Sequence, residues 1–233
     1  MNKKTTAIIL GGGAGARMDA RVPKQFLELN RKPLIMYAIE RFQHDPHISD
    51  IVVVCHEDFI RVVEERVKSS GLEKVRSVVP GGKTRQGSSR AGIAGCPDGT
   101  ELVLIHDAVR PFISSSVIKA VLEAAAKTGA AGPALDMDDT VISEKDGLMT
   151  AMIDRKELRR MQTPQGFLYD TIHNAHEWAV QNNVVGMSDD CGLVMMMSGK
   201  VQIVKGSTLN MKITTKSDLF LAEELIKAGK VEA

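Results

Sequence analysis

Apolar and polar positions along this chain change period repeatedly. Ala7-Ile8-Ile9-Leu10 is an unbroken apolar run of the kind that forms a strand covered on both faces. Ile51–Val54 and Leu102–Ile105 repeat it, with a less regular strand at about Val75–Val79. Between these runs the apolar spacing becomes helical. Lys32-Pro33 opens a helix whose Leu34, Ile35, Ala38, Ile39 and Phe42 share one face. A second helix is expected around Glu57–Ser69, stopped by Gly71, and another starts within Lys83–Arg90. The next is capped by Ser114 or Ser115 and runs to Thr128-Gly129. Strands alternating with helices predict an α/β fold, a doubly wound and mostly parallel sheet covered on both faces.

From Asp136 the rhythm changes. Val141-Ile142 and Leu148–Ile153, joined through Asp146-Gly147, read as a β-hairpin that leaves the β/α alternation and stands off as an arm at about 136–156. Gln162–Phe167 reads as a polar loop. Helices at Tyr169–Asn182 and Ser188–Met197 follow, then a strand at Val201–Val204. The last helix spans about Ser217–Ala228 and should bury Leu219, Leu221, Ala222, Leu225 and Ile226. With no repeat or linker, residues 1–233 are expected to form one domain with a hairpin excursion.

Composition narrows the class. At 43% hydrophobic and 25% charged residues, the chain sits with ordinary globular proteins. A formal net charge of +1 argues against general nucleic-acid binding, so clusters of cations are to be read locally. No apolar run approaches the ~20 residues of a membrane span, and the Met1-Asn2-Lys3-Lys4 start is not a signal peptide. Cys55, Cys96 and Cys191 have no C-x-x-C spacing, as expected of reduced thiols in a cytoplasmic protein.

The chemistry concentrates in the loops after the strands. Leu10-Gly11-Gly12-Gly13-Ala14-Gly15-Ala16-Arg17-Met18 lets the backbone approach a ligand closely, with peptide N–H groups able to converge on an anion. Arg17 adds a planar fork and Lys24 a point charge, the set expected for a polyphosphate. The P-loop pattern is absent because no Gly-Lys-Ser/Thr follows. A dinucleotide fingerprint fits Gly11, Gly13 and Ala16, but the next strand is too distant and ends in Cys55-His56 where an acidic residue is required. Ligands in such sheets bind beyond the carboxyl ends of the strands. That rule brings the glycine loop, Pro80–Ser88 and His106–Arg110 to one rim.

Taken together, Gly11–Met18, Pro23-Lys24-Gln25, Gly81-Gly82-x-x-Arg85, His106-Asp107-Ala108-x-Arg110-Pro111, Asp139-Thr140, Asp154-Arg155, Thr163-Pro164-Gln165 and Lys212-Ile213-Thr214 stand in the order found in sugar- and polyol-phosphate cytidylyltransferases. Over its whole length the chain resembles the 2-C-methyl-D-erythritol 4-phosphate cytidylyltransferase family of isoprenoid biosynthesis. The resemblance implies a Rossmann-like nucleotidyltransferase sheet and transfer of CMP from CTP to the acceptor phosphate, releasing pyrophosphate. It assigns Arg17, Lys24, Arg155 and Lys212 to catalysis. Leu10, Gly11, Gly12, Gly13, Gly81, Gly82, Arg85 and Ser88 would bind the nucleotide. Asp107, Arg110, Thr140 and Thr163 would serve the acceptor, with Asp107 also the candidate ligand for Mg²⁺. It further implies a homodimer whose arm carries Thr140 and Arg155 into the neighbouring site.

Three departures leave the acceptor open. Gly11-Gly12-Gly13 leans toward ribitol 5-phosphate cytidylyltransferases, and Ser188 and Cys191-Gly192 replace the usual Thr and Ala-Ser. Asp154-Arg155 and Gln162–Phe167 favour the methylerythritol branch. A non-catalytic nucleotide-binding protein and an NAD-dependent dehydrogenase are the remaining alternatives. Elsewhere, His173-x-x-His176 matches no zinc motif and reads as a surface helix. Met195–Met197 reads as core filling, and Asp189-Asp190 as charge at a helix N-terminus.

Overall fold

The computed structural model describes residues 3–13 and 23–231. The chain opens with β1 (Thr5–Gly11), every residue of which is buried. A two-residue ladder of β2 (Glu28–Leu29) and β3 (Lys32–Pro33) leads into α1 (Leu34–His44). The expected apolar face of α1 is inside, with Leu34, Ile35, Ala38, Ile39 and Phe42 all buried. β4 (Asp50–Cys55), α2 (Ile60–Ser69), β5 (Val75–Pro80), α3 (Arg85–Ala94) and β6 (Leu102–Asp107) complete the first winding. α4 (Ser115–Thr128) is capped by the Ser114 hydroxyl, which accepts from the Val117 N–H, and ends at Gly129 in the left-handed region.

The second half adds β7 (Ala130–Asp136), the hairpin β8 (Val141–Lys145) and β9 (Leu148–Ile153), then β10 (Arg159–Met161) and β11 (Gln165–Leu168). α5 (Tyr169–Gln181), α6 (Asp190–Met196), β12 (Gln202–Lys205) and α7 (Lys216–Lys227) follow. The main sheet runs β10-β7-β11-β6-β1-β4-β5, with β12 beside β7. β6-β1-β4-β5 are parallel, whereas β11 runs antiparallel between β6 and β7. Helices cover both faces. One apolar cluster holds Ile9, Ile39, Phe42, Ile118 and Val121; the opposite one holds Ile8, Val54, Phe167, Ile172 and Leu193. The expected doubly wound, mostly parallel sheet is thus present, and no helix among the described residues is long and apolar enough to cross a membrane.

Three expectations need correction, and one strand is unanticipated. Gln162–Phe167 is not only a loop, because Gln165–Leu168 is a strand inside the sheet with Gln165 fully buried. Residues 130–136 form β7 although their pattern predicts no element; Gly132-Pro133 is strand-averse. Met195, Met196 and Met197 are 64%, 48% and 41% exposed and fill no core. Leu221 is half exposed, and α7 instead turns Leu219, Ala222, Leu225 and Ile226 inward. The arm matches its reading. Asp146 and Gly147 both have positive φ (53° and 79°), as a tight hairpin turn requires, and among the described residues β8 and β9 pair only with each other.

Candidate active site

The registers of the parallel strands build the site. Leu10 of β1 lies opposite Asp107 of β6 and Val54 of β4, and Gly11 lies opposite Cys55, itself opposite Pro80 of β5. The ends of four strands therefore open into one cleft of about 820 Å³. It is lined by Leu10–Gly13, Lys24, Gly81, Gly82, Arg85, Ser88, Asp107 and Lys212 among others. Arg17 lies outside the described residues.

Close approach, not unusual torsion, is what the described rim glycines supply; none of Gly11, Gly12, Gly13, Gly81 and Gly82 has positive φ. A Cβ on Gly81 would stand 3.0 Å from the Gly12 Cα, and one on Gly82 would stand 2.7 Å from the Gly87 backbone. The two loops touch main chain to main chain. Ser88, buried at the start of α3, accepts a hydrogen bond from the Gly82 N–H at 3.2 Å. Gln25, 2% exposed, donates to the carbonyls of both Gly11 and Gly13 and so ties the start of the first loop to the turn carrying Lys24. The sequence motif contained Gln25 but gave it no role; only its burial beside those carbonyls reveals one.

Asp107 ends β6 at the back of the cleft, meeting Lys212 Nζ at 2.7 Å, Arg85 Nε at 3.5 Å and Arg110 Nε at 3.8 Å. Burial alone pushes its carboxyl up, but Lys212, Arg85 and Arg110 together hold it well below the usual carboxylate range. Behind it, His106 is fully buried, and that burial lowers its imidazole to about 4. The ring is therefore neutral at pH 7. Its Nε2 lies 3.0 Å from the Arg110 carbonyl, which can only accept, so Nε2 carries the proton. Nδ1 is then an acceptor. The Thr163 hydroxyl donates to it and accepts from the Asp107 N–H, both at 3.1 Å. His106 thus holds the loop through both ring nitrogens.

Lys212 reaches the rim through a polar clasp. Asn210, fully buried, donates to the Thr163 carbonyl at 2.7 Å, and its own carbonyl accepts from Arg110 Nη1 at 2.8 Å. Gln162 donates to the carbonyls of Ser207 and Asn210, and the Ile213 N–H donates to the Val109 carbonyl. Sequence reasoning missed Asn210 and Gln162, because a lone amide in a loop carries no local signal.

The predicted residues thus fall into three groups. Leu10, Gly11, Gly12, Gly13, Lys24, Gly81, Gly82, Arg85, Ser88, Asp107 and Lys212 converge on the cleft. Arg110 and Thr163, expected at the acceptor, are not among the residues lining the cleft. They are 9% and 5% exposed, and stand behind Asp107 as its supports. Thr140 and Arg155 are exposed on the arm, where Arg155 donates to the Asp138 carbonyl, and neither lines the cleft of its own chain.

Asp190 stands in the first turn of α6 as expected, but it is 1% exposed and paired, at 2.6 Å from Arg85 Nη1 and 3.1 Å from His176 Nε2. His176 is accordingly buried, not on a surface face. Asp189 is the residue that caps α6, accepting from the Gly192 N–H. Among the described residues no group of three or more His, Cys, Asp and Glu could hold a metal. A cation at this rim would have the Asp107 carboxylate and must take its other oxygens from a bound ligand or water, a combination that suits Mg²⁺.

Comparison with known proteins agrees in one direction. Residues 5–228 match the family model for 2-C-methyl-D-erythritol 4-phosphate cytidylyltransferase. The enzyme of that name from Syntrophus aciditrophicus (strain SB) is 39% identical over 97% of each chain. The crystal structure of 4-diphosphocytidyl-2C-methyl-D-erythritol synthase from Anaerococcus prevotii is similar at TM-score 0.83 and 26% identity, covering 97% of this chain and 96% of that one. The 2-C-methyl-D-erythritol 4-phosphate cytidylyltransferase structure from Thermus thermophilus is similar at TM-score 0.79 and 30% identity, covering 95% and 98%.

Proposed function

This chain belongs to the 2-C-methyl-D-erythritol 4-phosphate cytidylyltransferase family and is a nucleotidyltransferase of isoprenoid biosynthesis, and from that premise we propose how its cleft carries out the transfer. The substrates are CTP and 2-C-methyl-D-erythritol 4-phosphate. A non-bridging oxygen of the acceptor phosphate attacks the α-phosphorus, the bond to the bridging oxygen breaks, and pyrophosphate leaves with that electron pair. No general base is needed, since the second pKa of a phosphate monoester is ~6 and the attacking group is already largely ionised at neutral pH. The obstacle is pushing two anions together. Fixed cations lower it, because they stabilise charge building on the leaving group without reorganising.

The observation that carries this reading is the arrival of Lys24 and Lys212, from opposite ends of the chain, at one cleft floored by the two glycine loops. Backbone groups of Leu10–Gly13, Gly81 and Gly82, with Ser88, hold the nucleoside. Lys24 faces the triphosphate and Lys212 holds the acceptor phosphate; Arg17, outside the described residues, is given a part at the triphosphate by the family resemblance alone. Asp107 positions Lys212 and would hold Mg²⁺ together with phosphate oxygens; the ion would add neutralising charge at the triphosphate. Thr140 and Arg155 act on the acceptor from the neighbouring subunit's arm, in a homodimer. The arm's apolar Leu148, Met149 and Met152, 62–71% exposed, support such a contact. We place the enzyme in the cytoplasm, a setting that suits its three free cysteines.

Pyrophosphate release from CTP, measured in parallel with 2-C-methyl-D-erythritol 4-phosphate and ribitol 5-phosphate, tests the reading. Release with the first is expected. Release with ribitol 5-phosphate alone would reassign the acceptor, and CTP binding without release in either would leave a non-catalytic nucleotide-binding protein.

A further inference from the structure

Asp190 is out of reach of solvent and still charged. Burial works against its carboxylate, but hydrogen bonds and charge from His176 and Arg85 keep it below the usual range. Its Oδ1 faces His176 Nε2 at 3.1 Å, and its Oδ2 accepts from Ser89 Oγ at 3.1 Å and Arg85 Nη1 at 2.6 Å. The backbone N–H of Asp190 donates to Gln165 Oε1, which fixes the residue on the sheet. Arg85 stands between two carboxylates and divides itself unequally, at 2.6 Å from Asp190 but 3.5 Å from Asp107. Asp107 is left to Lys212 at 2.7 Å. The chain His176–Asp190–Arg85–Asp107–Lys212 therefore runs from the buried face of α5 to the wall of the cleft, and the lengths of its links say which pairs are committed.

We infer that Asp190 is a positioning residue for the transfer: it holds the Arg85 guanidinium off Asp107, so that Asp107 can hold Lys212 in the cleft. A guanidinium released from Asp190 has a second carboxylate already within 3.5 Å, and its planar fork can close on both carboxylate oxygens. One of those oxygens is the partner of Lys212. The ammonium would then lose its anchor and swing out of line with the acceptor phosphate, a displacement of the order that costs ~100-fold in rate. Arg85 is, on this account, a strut of the wall with its guanidinium turned from the nucleotide toward the two carboxylates. The inference rests on the cytidylyltransferase reading above.

The test is a set of variants measured for pyrophosphate release. Asp190→Asn keeps the shape and removes the charge. It should lower kcat about 10- to 100-fold, with the KM for CTP little changed and the folded fraction intact by thermal unfolding. Adding Arg85→Gln to Asp190→Asn removes the competing guanidinium and should regain several-fold in kcat at an unchanged Tm, which separates the release of Lys212 from relief of a stranded buried charge. Wild-type turnover in folded Asp190→Asn, or a double variant no faster than the single one, overturns the inference. Should Asp190→Asn fail to fold, the double variant, which strands no buried charge, is compared with Arg85→Gln alone. Equal kcat supports the inference, since Asp190 then has nothing to hold. A further several-fold loss on adding Asp190→Asn overturns it. Wild-type protein that releases no pyrophosphate with any acceptor would instead sink the cytidylyltransferase reading, so the two failures are distinguishable.

Discussion

Replacing Thr163 by valine tests the support behind Asp107 directly. The two side chains are nearly equal in shape, so the change removes a hydroxyl without opening a cavity. That hydroxyl makes two hydrogen bonds at 3.1 Å, donating to His106 Nδ1 and accepting from the Asp107 N–H. Both partners sit in the interior, with His106 fully buried and Asp107 7% exposed. Each would be left unsatisfied, at ~1–3 kcal/mol per group. The added methyl returns less than about 1 kcal/mol of apolar burial. The net loss is then about 3 kcal/mol, which for a chain of this length lowers Tm by roughly 6–12 °C. Urea and thermal unfolding at pH 7.5 measure it. Thr163→Ser keeps the hydroxyl and should lose only about 1 kcal/mol, the worth of one methyl group. Thr163→Val within about 0.5 kcal/mol of wild type, the range of ordinary surface changes, would refute the hydrogen-bond assignment and the His106 tautomer deduced from it.

Acid should weaken the fold early, because His106 is held neutral with its folded pKa at about 4, below the ordinary 6.5. As pH falls through that window the unfolded chain takes up a proton that the folded chain refuses. Stability present above pH 6.5 should therefore fall by roughly 3 kcal/mol by pH 4, most of it read by urea titrations at pH 7.5 and 4.5, and a flat profile would contradict the burial argument. Gly82→Ala places a Cβ 2.7 Å from the Gly87 backbone, so the loop must shift; a CTP KM raised at least ~10-fold is expected in steady-state kinetics, and an unchanged KM would remove this loop from nucleotide binding. Lys24→Ala should keep the wild-type Tm and lose ~100-fold or more in kcat in the same assay, whereas unchanged turnover would remove Lys24 from the chemistry. Mixing the Lys212→Ala and Arg155→Ala variants under conditions that allow subunit exchange should restore roughly a quarter of wild-type activity if the proposed homodimer forms and its arm serves the neighbouring site, and none if each arm serves its own.

Much of the architecture was legible locally. Runs such as Ile51–Val54 can only be covered on both faces, and the spacing of Leu34 through Phe42 can only be one side of a helix, so element type followed from apolar period alone. The rim followed too. Strands wound in parallel must end on one side, and the glycine loop, Pro80–Ser88 and Asp107 all lie just beyond or at strand ends. Reading failed where polarity was mistaken for exposure. Gln165 sits in the middle of the sheet because its amide caps α6, accepting from the Asp190 and Cys191 N–H groups and donating to Asp189. Asp190 is buried because Arg85, Ser89 and His176 surround it. Met195–Met197 shows the converse, apolar side chains that the end of α6 turns outward.

The amino-acid sequence by itself thus determined which segments must hide from water, and so the layers of the fold and the edge at which its polar loops gather. Only the tertiary structure decided which of the charged and amide side chains face the cleft and which stand behind it. Apolar burial depends on a residue's own surface and leaves a periodic trace in its neighbours. A buried charge or amide is tolerated only through specific partners, and here those partners lie far along the chain: Lys212 for Asp107, Arg85 for Asp190, Asn210 for Thr163. No local pattern carries that information, because pairing of this kind exists only once the segments have met.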